Sequence, residues 1–492
     1  MLFMKFKTII SKQQDIFLTI TGLFFILLFS VPFSFGYYYL PLFLLAVVIN
    51  YLVIFKKPDI GIYIIVIATF IVERFFTWAP IFFAGREIKI YLLDFLILAT
   101  VLGIIRNRRN YNFKILTQNK LSQSVAIFLL IAIFGFLRSL IDLDLDIGLG
   151  LATLKNFFYA IFYFLAVLIF NQKDKILYLV RLILICGLFL TFFVFFGYAT
   201  GHGLWSDITP GVRLVAAPHA AYLVTVFFLG FAFWLKQEYI FQDLKRKNIL
   251  MKFLPFILLV QIAGFMGGMF RHLWMGFLVG LIIFLILLKK LVRKKLFKFV
   301  LFLFLIIILV LALWYWFNAL VGSEARLTDN YYLNSFFSRS QTLFELDDDK
   351  IESSFGWRLA VSGQGWQEFL KSPWLGIGLG GKIRFTFRNW EQIIEVRTMH
   401  NDLVGIIMQF GILGIVSFFM IIFINFQMLV RIYKNHDQKL SAIGLWLIGF
   451  FAVQLVAIIF SLYFSSNMIS LFFWLFLGLT TALFKLIKTG NN

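Results

Sequence analysis

A chain of 492 residues that is 61% hydrophobic and only 14% charged is not a soluble globular domain, where roughly a quarter of residues carry charge. Its mean hydropathy is +0.92. Apolar runs of about 20 residues, enough to cross a bilayer core, recur along its length, and their lack of alternation excludes a β-barrel. The net charge of +21 sits in short basic loop clusters, the pattern of cytoplasmic anchoring rather than of nucleic-acid contact.

In chain order, the first apolar run follows Lys5, Lys7 and Lys12 and has no small-x-small cleavage site, so it reads as a retained span and not a removed signal peptide. Fourteen transmembrane helices are expected, at 16–34, 37–55, 60–83, 90–106, 122–141, 152–171, 176–198, 219–236, 253–270, 272–290, 299–318, 402–430, 441–463 and 467–487. With the N-terminus in the cytoplasm, the cytoplasmic segments hold 29 of the 45 Lys and Arg, and 9 more lie in one long outer loop. Long loops are exempt from the charge rule, so the short loops fix the orientation, with both termini cytoplasmic. The lone Cys186 lies inside an apolar run and builds no disulfide framework. The organisation is helices 1–11 over 1–318, an extracytoplasmic loop over 319–401, and helices 12–14 over 402–492.

One turn is forced by length. Residues 253–290 are almost unbroken apolar sequence. A straight helix of that length would measure about 57 Å, far more than one crossing. The chain must reverse at "GFMGGMFRH", loosened by Gly264, Gly267 and Gly268, which puts Arg271 and His272 at an outer hairpin tip. In the long loop, "WRLAVSGQGWQEFLKSP" sets Trp366, Phe369 and Leu370 on one face of a helix stopped by Pro373. That helix is expected to lie along the membrane surface. "PWLGIGLGG" follows, with Gly376, Gly378, Gly380 and Gly381 suited to tight backbone turns and no phosphate-loop ending. "ELDDDKIES" lacks calcium-loop spacing and reads as a solvated acidic turn.

Four of the five histidines, His202, His219, His272 and His400, map to the outer side. No pair has the spacing of a helical zinc site, so no metal is expected. Arg213, in "GVRLVAAPH", and Arg271 are candidates for anion capture, because guanidinium grips phosphate oxygens bidentately. Glu73-Arg74 reads as a neutralised pair, and Arg138 and Lys155 as interfacial anchors. Thr398 is expected to cap a helix starting near 399, with His400 in its first turn. The positive helix terminus then keeps the imidazole neutral and able to accept a proton. Gly411 and Gly414 are expected to break 402–430 into a short outer helix and a span.

"GVRLVAAPH", "MFRHLW", "KSPWLGIGLGG" and "MHNDLVGIIMQFGILG", in this order and with a long outer loop before the last, resemble the O-antigen ligase and polymerase family of bacterial membrane glycosyltransferases. The resemblance implies a GT-C-like all-α polytopic fold. It implies metal-independent, inverting, cofactor-free transfer of a glycan from undecaprenyl diphosphate, at the outer face of the cytoplasmic membrane, to another glycan or to a lipid A-core acceptor. By position, Arg213 and Arg271 would bind the diphosphate. His400 would be the base or orienting group for the acceptor hydroxyl, supported by Asn401, Pro373, Gly376 and Gly378. Where the family's hairpin Arg follows Ser and precedes a small residue, this chain has Phe270-Arg271-His272. The competing class is a lipid-linked oligosaccharide flippase or another transporter. Transporters carry midplane charges and internal repeats, whereas here charge gathers outside and no repeat is seen.

Overall fold

The computed structural model describes residues 50–71, 81–83, 86–88, 92–142, 147–200, 217–237, 247–268, 270–321, 354–385, 394–396, 401–464 and 467–490, with positions 20, 48 and 399. Arg213, His400, His202, Glu73-Arg74 and the acidic turn at 345–353 lie outside the described residues, as does nearly all of the first two expected spans.

The described chain is overwhelmingly helical. After helical residues 50–56 come α1 (Pro58–Ile71), a short hairpin of β1 (Ile81–Phe83) and β2 (Arg86–Ile88), α2 (Leu92–Arg106), α3 (Lys114–Gln118), α4 (Lys120–Asp142), α5 (Ile147–Phe158) and α6 (Ile161–Ile169). Next are α7 (Lys173–Thr200), α8 (Ala217–Lys236), α9 (Lys247–Gly267), α10 (Arg271–Leu287), α11 (Lys290–Val321) and α12 (Ser354–Lys371). A second hairpin, β3 (Ile383–Phe385) and β4 (Ile394–Val396), precedes α13 (Asp402–Tyr433), α14 (Gln438–Phe460) and α15 (Asn467–Gly490). Six described helices are long and apolar enough to cross a membrane: Lys120–Ile141, Lys173–Val194, His219–Lys236, Asp402–Tyr433, Gln438–Phe460 and Ile469–Thr489. Shorter apolar helices include Pro58–Phe70, Thr153–Ile169, Leu254–Met266 and Arg271–Leu287. The protein is a multi-pass α-helical membrane protein.

α14 is the hub, packing on α10, α13 and α8. Small residues allow the close approach. Phe228 of α8 wedges between Gly280 of α10 and Gly449 of α14, where an added Cβ would come within 2.5 and 2.6 Å of its ring. Without a strong hydrophobic force between helices in lipid, such fitted van der Waals contact supplies much of their association.

Two expected spans differ in shape. The one at 60–83 is described as helix up to Ile71, and its last residues are β1, with Ile81 opposite Ile88. Pro80 precedes that strand; it lacks an N–H donor and disfavours helix at the residue before it. The span at 152–171 is divided between α5 and α6 at Tyr159-Ala160. The Phe162 and Tyr163 amides there bond back three residues instead of four.

The forced reversal is present: α9 ends at Gly267 and α10 begins at Arg271. The two arms straddle α8 more than they touch each other, meeting near the tip where the Phe265 and Phe277 rings lie 4.9 Å apart.

The basic end of the bundle is tied by ion pairs and caps. Lys173 bonds Asp437, Lys175 Nζ is 2.5 Å from Asp59 Oδ2, and Asp437 caps α14 by accepting from the Lys439 and Leu440 amides. Lys236 sits over the Tyr433 ring at 4.4 Å.

Candidate functional site at the loop end of the bundle

The opposite end is organised around a break in α13. Gly411 has φ 62° and ψ −155°, so 402–410 and 412–433 are separate helical pieces, as the glycines suggest. The second piece measures about 33 Å, the thickness of one crossing. A broken helix leaves carbonyls unanswered on one side and amides on the other, and the glycine loop answers both. Ile377 N and Gly378 N donate to Met408 O (2.7 Å) and Gln409 O (3.1 Å). Ile412 N and Leu413 N donate to Pro373 O (2.8 Å) and Trp374 O (3.4 Å). Non-helical backbone at this depth is tolerated only when protein satisfies it in this way.

The loop is gripped from its other side by α4. Arg138 Nη1 donates to Gly376 O at 2.7 Å and to Ser372 Oγ at 3.3 Å, and Leu379 N donates to Gly135 O at 3.3 Å. Arg138 is therefore a clamp on the loop, a role that reading it as an interfacial anchor missed. Gly376 has φ +67°, and a Cβ on it would meet Met408 O at 2.3 Å. On Gly378 (φ +83°) a Cβ would meet Ser139 Oγ at 2.1 Å. Pro373, Gly376 and Gly378 thus hold the break open and the loop in place. Lys155 pairs with Asp94 at 2.6 Å instead of merely reaching headgroups.

Asn401, not Thr398, caps α13. Its Oδ1 accepts from Leu403 N at 3.1 Å and Val404 N at 3.2 Å. Asn is among the strongest N-cap residues, and the helix starts at Asp402. His400 therefore precedes the cap and is not in the first turn, which withdraws the argument that the helix terminus holds its ring neutral.

α12 has two faces, and the expected single stripe divides between them. Phe369 (8% exposed) faces inward, while Trp366 (50%) and Leu370 (59%) face outward with Leu359. The inward face carries Val361, Gly365 and Phe369 at helical spacing. It packs on the residues flanking position 400: a Cβ on Gly365 would lie 3.1 Å from Val404 and 3.2 Å from the Met399 sulfur. Arg358 lies one turn before Val361 on this same face and is half-buried. Burial first, and then the charge of Arg271, push its guanidinium below its ordinary pKa. Among the described residues Arg358 makes no hydrogen bond or ion pair. The structure thus brings the tip of α10 and the inner face of α12 together beside the start of α13. Arg358 was missed in the sequence because it reads there as one more charge on an amphipathic helix.

Residues 254–419 match the family model described as O-antigen ligase. Over this third of the chain the sequence is similar to that family. No curated protein matches the chain. The matched region runs from α9 through the Gly411 break. It contains Arg271, Arg358, the glycine loop and His400, while Arg213 precedes it. Of the other histidines, His219 is fully buried with neither ring nitrogen bonded among the described residues, and His272 Nε2 is 2.8 Å from Tyr463 Oη.

Proposed function

We propose that the chain is a metal-independent, inverting membrane glycosyltransferase of GT-C-like fold. It moves or polymerises a glycan carried on undecaprenyl diphosphate, at the outer face of the bacterial cytoplasmic membrane. The observation that carries the reading is the packing of the inner face of α12, the helix that carries Arg358, on Met399 and Val404, which flank His400. Two guanidinium groups that repel one another are stabilised together by a diphosphate, whose oxygens take a bidentate grip from each. Arg213, placed by sequence on the same side, is a third candidate for that clamp.

The donor is already activated, so the protein must align, deprotonate and balance charge. The acceptor hydroxyl oxygen attacks the anomeric carbon from the face opposite the diphosphate. The new C–O bond forms as the bond from that carbon to the phosphate oxygen breaks, with inversion. The electron pair leaves on the diphosphate, where Arg271 and Arg358 stabilise it, and the hydroxyl proton passes to His400. Asn401 fixes the start of α13, so the backbone following His400 has a defined origin. The exposed face of α12, with Leu359, Trp366 and Leu370, suits a helix lying in the headgroup region.

His400→Ala tests this directly. Transfer should fall by about 10²–10⁴, the usual worth of a general base, while undecaprenyl diphosphate binding is kept. Wild-type activity should decline as pH drops through the imidazole range near about 6.5, because the protonated ring accepts no proton. Transfer at wild-type rate by purified His400→Ala protein would end the mechanism. The orientation is tested by impermeant thiol labelling. A cysteine at position 350 should react from outside and one at 294 should not, and the reverse pattern puts the site on the wrong side.

A further inference from the structure

The segment joining α14 to α15 makes two bonds that no catalytic role has used. Tyr463 is buried, and its Oη bonds His272 Nε2 at 2.8 Å, the rings 5.1 Å apart and edge to face. His272 follows Arg271 in the first turn of α10. That turn has no side-chain cap, since Phe270 occupies the cap position. The next residue, Phe464, donates its amide to Asp402 Oδ2 at 2.5 Å, and Asp402 is the first residue of α13. Adjacent residues of one short segment therefore hold the starts of two different helices, one carrying Arg271 and the other following His400-Asn401.

The segment is itself immobilised. The Phe464 ring packs against Phe157, Phe418, Phe473 and Trp474, with centroids 5.3–5.9 Å apart. The buried Tyr222 ring lies edge-on to His219, with centroids 5.9 Å apart. Buried polar groups that are fully bonded define one geometry more sharply than apolar packing does, and a misplacement of about 1 Å at a reacting centre is worth up to about 10²-fold in rate.

We infer that Tyr463 and the Phe464 amide are positioning groups: through His272 and Asp402 they set the spacing between the Arg271 helix tip and the start of the His400-Asn401 helix. The inference rests on the transferase reading for its effect on rate and on the two hydrogen bonds alone for the coupling. Neither residue needs to touch substrate.

The test has an activity arm and an arm without activity. Tyr463→Phe removes one hydroxyl. It should lower kcat for glycan transfer about 10-fold with KM for the lipid diphosphate nearly unchanged, and raise amide hydrogen exchange at 270–274 and nowhere else in α10. His272→Ala should do the same, and the double variant should be no worse than either single one, as for two halves of one bond. His272→Gln, whose amide nitrogen stands where Nε2 stood, should restore most of the rate. Asp402→Ala should raise exchange at 402–405, and Asp402→Asn, still an acceptor, should not. Exchange at the tip unchanged in Tyr463→Phe overturns the inference whatever the chain catalyses. Raised exchange with unchanged kcat overturns it as well. Raised exchange in a wild-type background that transfers no glycan leaves the coupling standing and overturns the function proposed above. A uniform loss of thermal stability with rate falling only in proportion to folded protein reduces Tyr463 to packing.

Discussion

The two ends of the bundle treat their cations differently. At the basic end, Lys175 is discharged on Asp59, which also accepts from Tyr111 Oη at 3.2 Å. Lys173 is discharged on Asp437, and Arg106 and Lys236 lie over the rings of Phe55 and Tyr433. Each of these charges meets a partner that the chain itself supplies, although Lys236 also feels the like charge of Lys289. At the loop end, Arg138 is spent on the Gly376 carbonyl, but Arg358 is set against Arg271. A neighbouring like charge disfavours the charged form, and an anion bound beside Arg358 would relieve it. The contrast sets cations bonded within the chain apart from Arg358, which makes no hydrogen bond or ion pair among the described residues.

The contrast breaks most visibly at Arg358. Arg358→Ala should reduce glycan transfer about 10²-fold, the scale of losing one group aimed at developing charge. Arg358→Lys should recover only part of it, since a point charge replaces a fork. Both are read with purified protein and a lipid-diphosphate donor. Lys173→Ala assayed alongside should leave transfer unchanged, and equal losses in the two would erase the distinction. Next in size is the scaffold of the loop end. Gly411→Ala places a Cβ 2.5 Å from the Trp374 backbone at φ 62°. It should cost about 1–3 kcal/mol of strain, seen as a lower unfolding temperature in detergent. Transfer should fall more steeply than folded protein does, because the loop is displaced.

The smallest effect belongs to the basic end. Asp437→Ala should cost about 1 kcal/mol, the usual worth of an N-cap, with transfer unaltered. Burial raises the Asp437 carboxyl, but the hydrogen bonds from Lys173 and the Leu440 and Lys439 amides outweigh it and hold the group below the ordinary carboxylate value. A depressed folded pKa means that the stabilisation is present at neutral pH. It is lost as pH falls from the ordinary value near about 4 through the lowered one. The Asp437→Ala variant should therefore match wild type in acid stability only at the bottom of that window.

What was legible in the sequence followed from lengths and backbone chemistry. The reversal at Gly267–Arg271 was forced by an apolar run too long for one crossing, and the break at Gly411 by a helix too long for one span. The glycine loop was readable as turns because few residues other than glycine adopt positive φ. What was not legible depends on partners remote in sequence. Arg138 meets Gly376 from 238 positions away, and nothing near Arg138 announces it. Arg358 gains its meaning only from Arg271. Asn401, not Thr398, is the cap because α13 starts at Asp402 and Asn outranks Thr in that position. β1 was hidden at the end of an apolar run that hydropathy alone reads as helix, and β2 fell in the short link after it.

The splint across the Gly411 break also imposes an order of synthesis. The loop at 373–378 leaves the ribosome about 35 residues ahead of Gly411. At about 5–20 residues per second the gap is roughly two to seven seconds. During that interval the donors of Ile377 and Gly378 have no helix to meet, and α4, already made, is the only one of their two flanking elements present. Arg138 and Gly135 of α4 can therefore seat the loop first, leaving a preformed socket into which the two pieces of α13 are delivered as they enter the membrane. A circular permutant that made α13 before the loop would have to insert a helix with an unanswered gap.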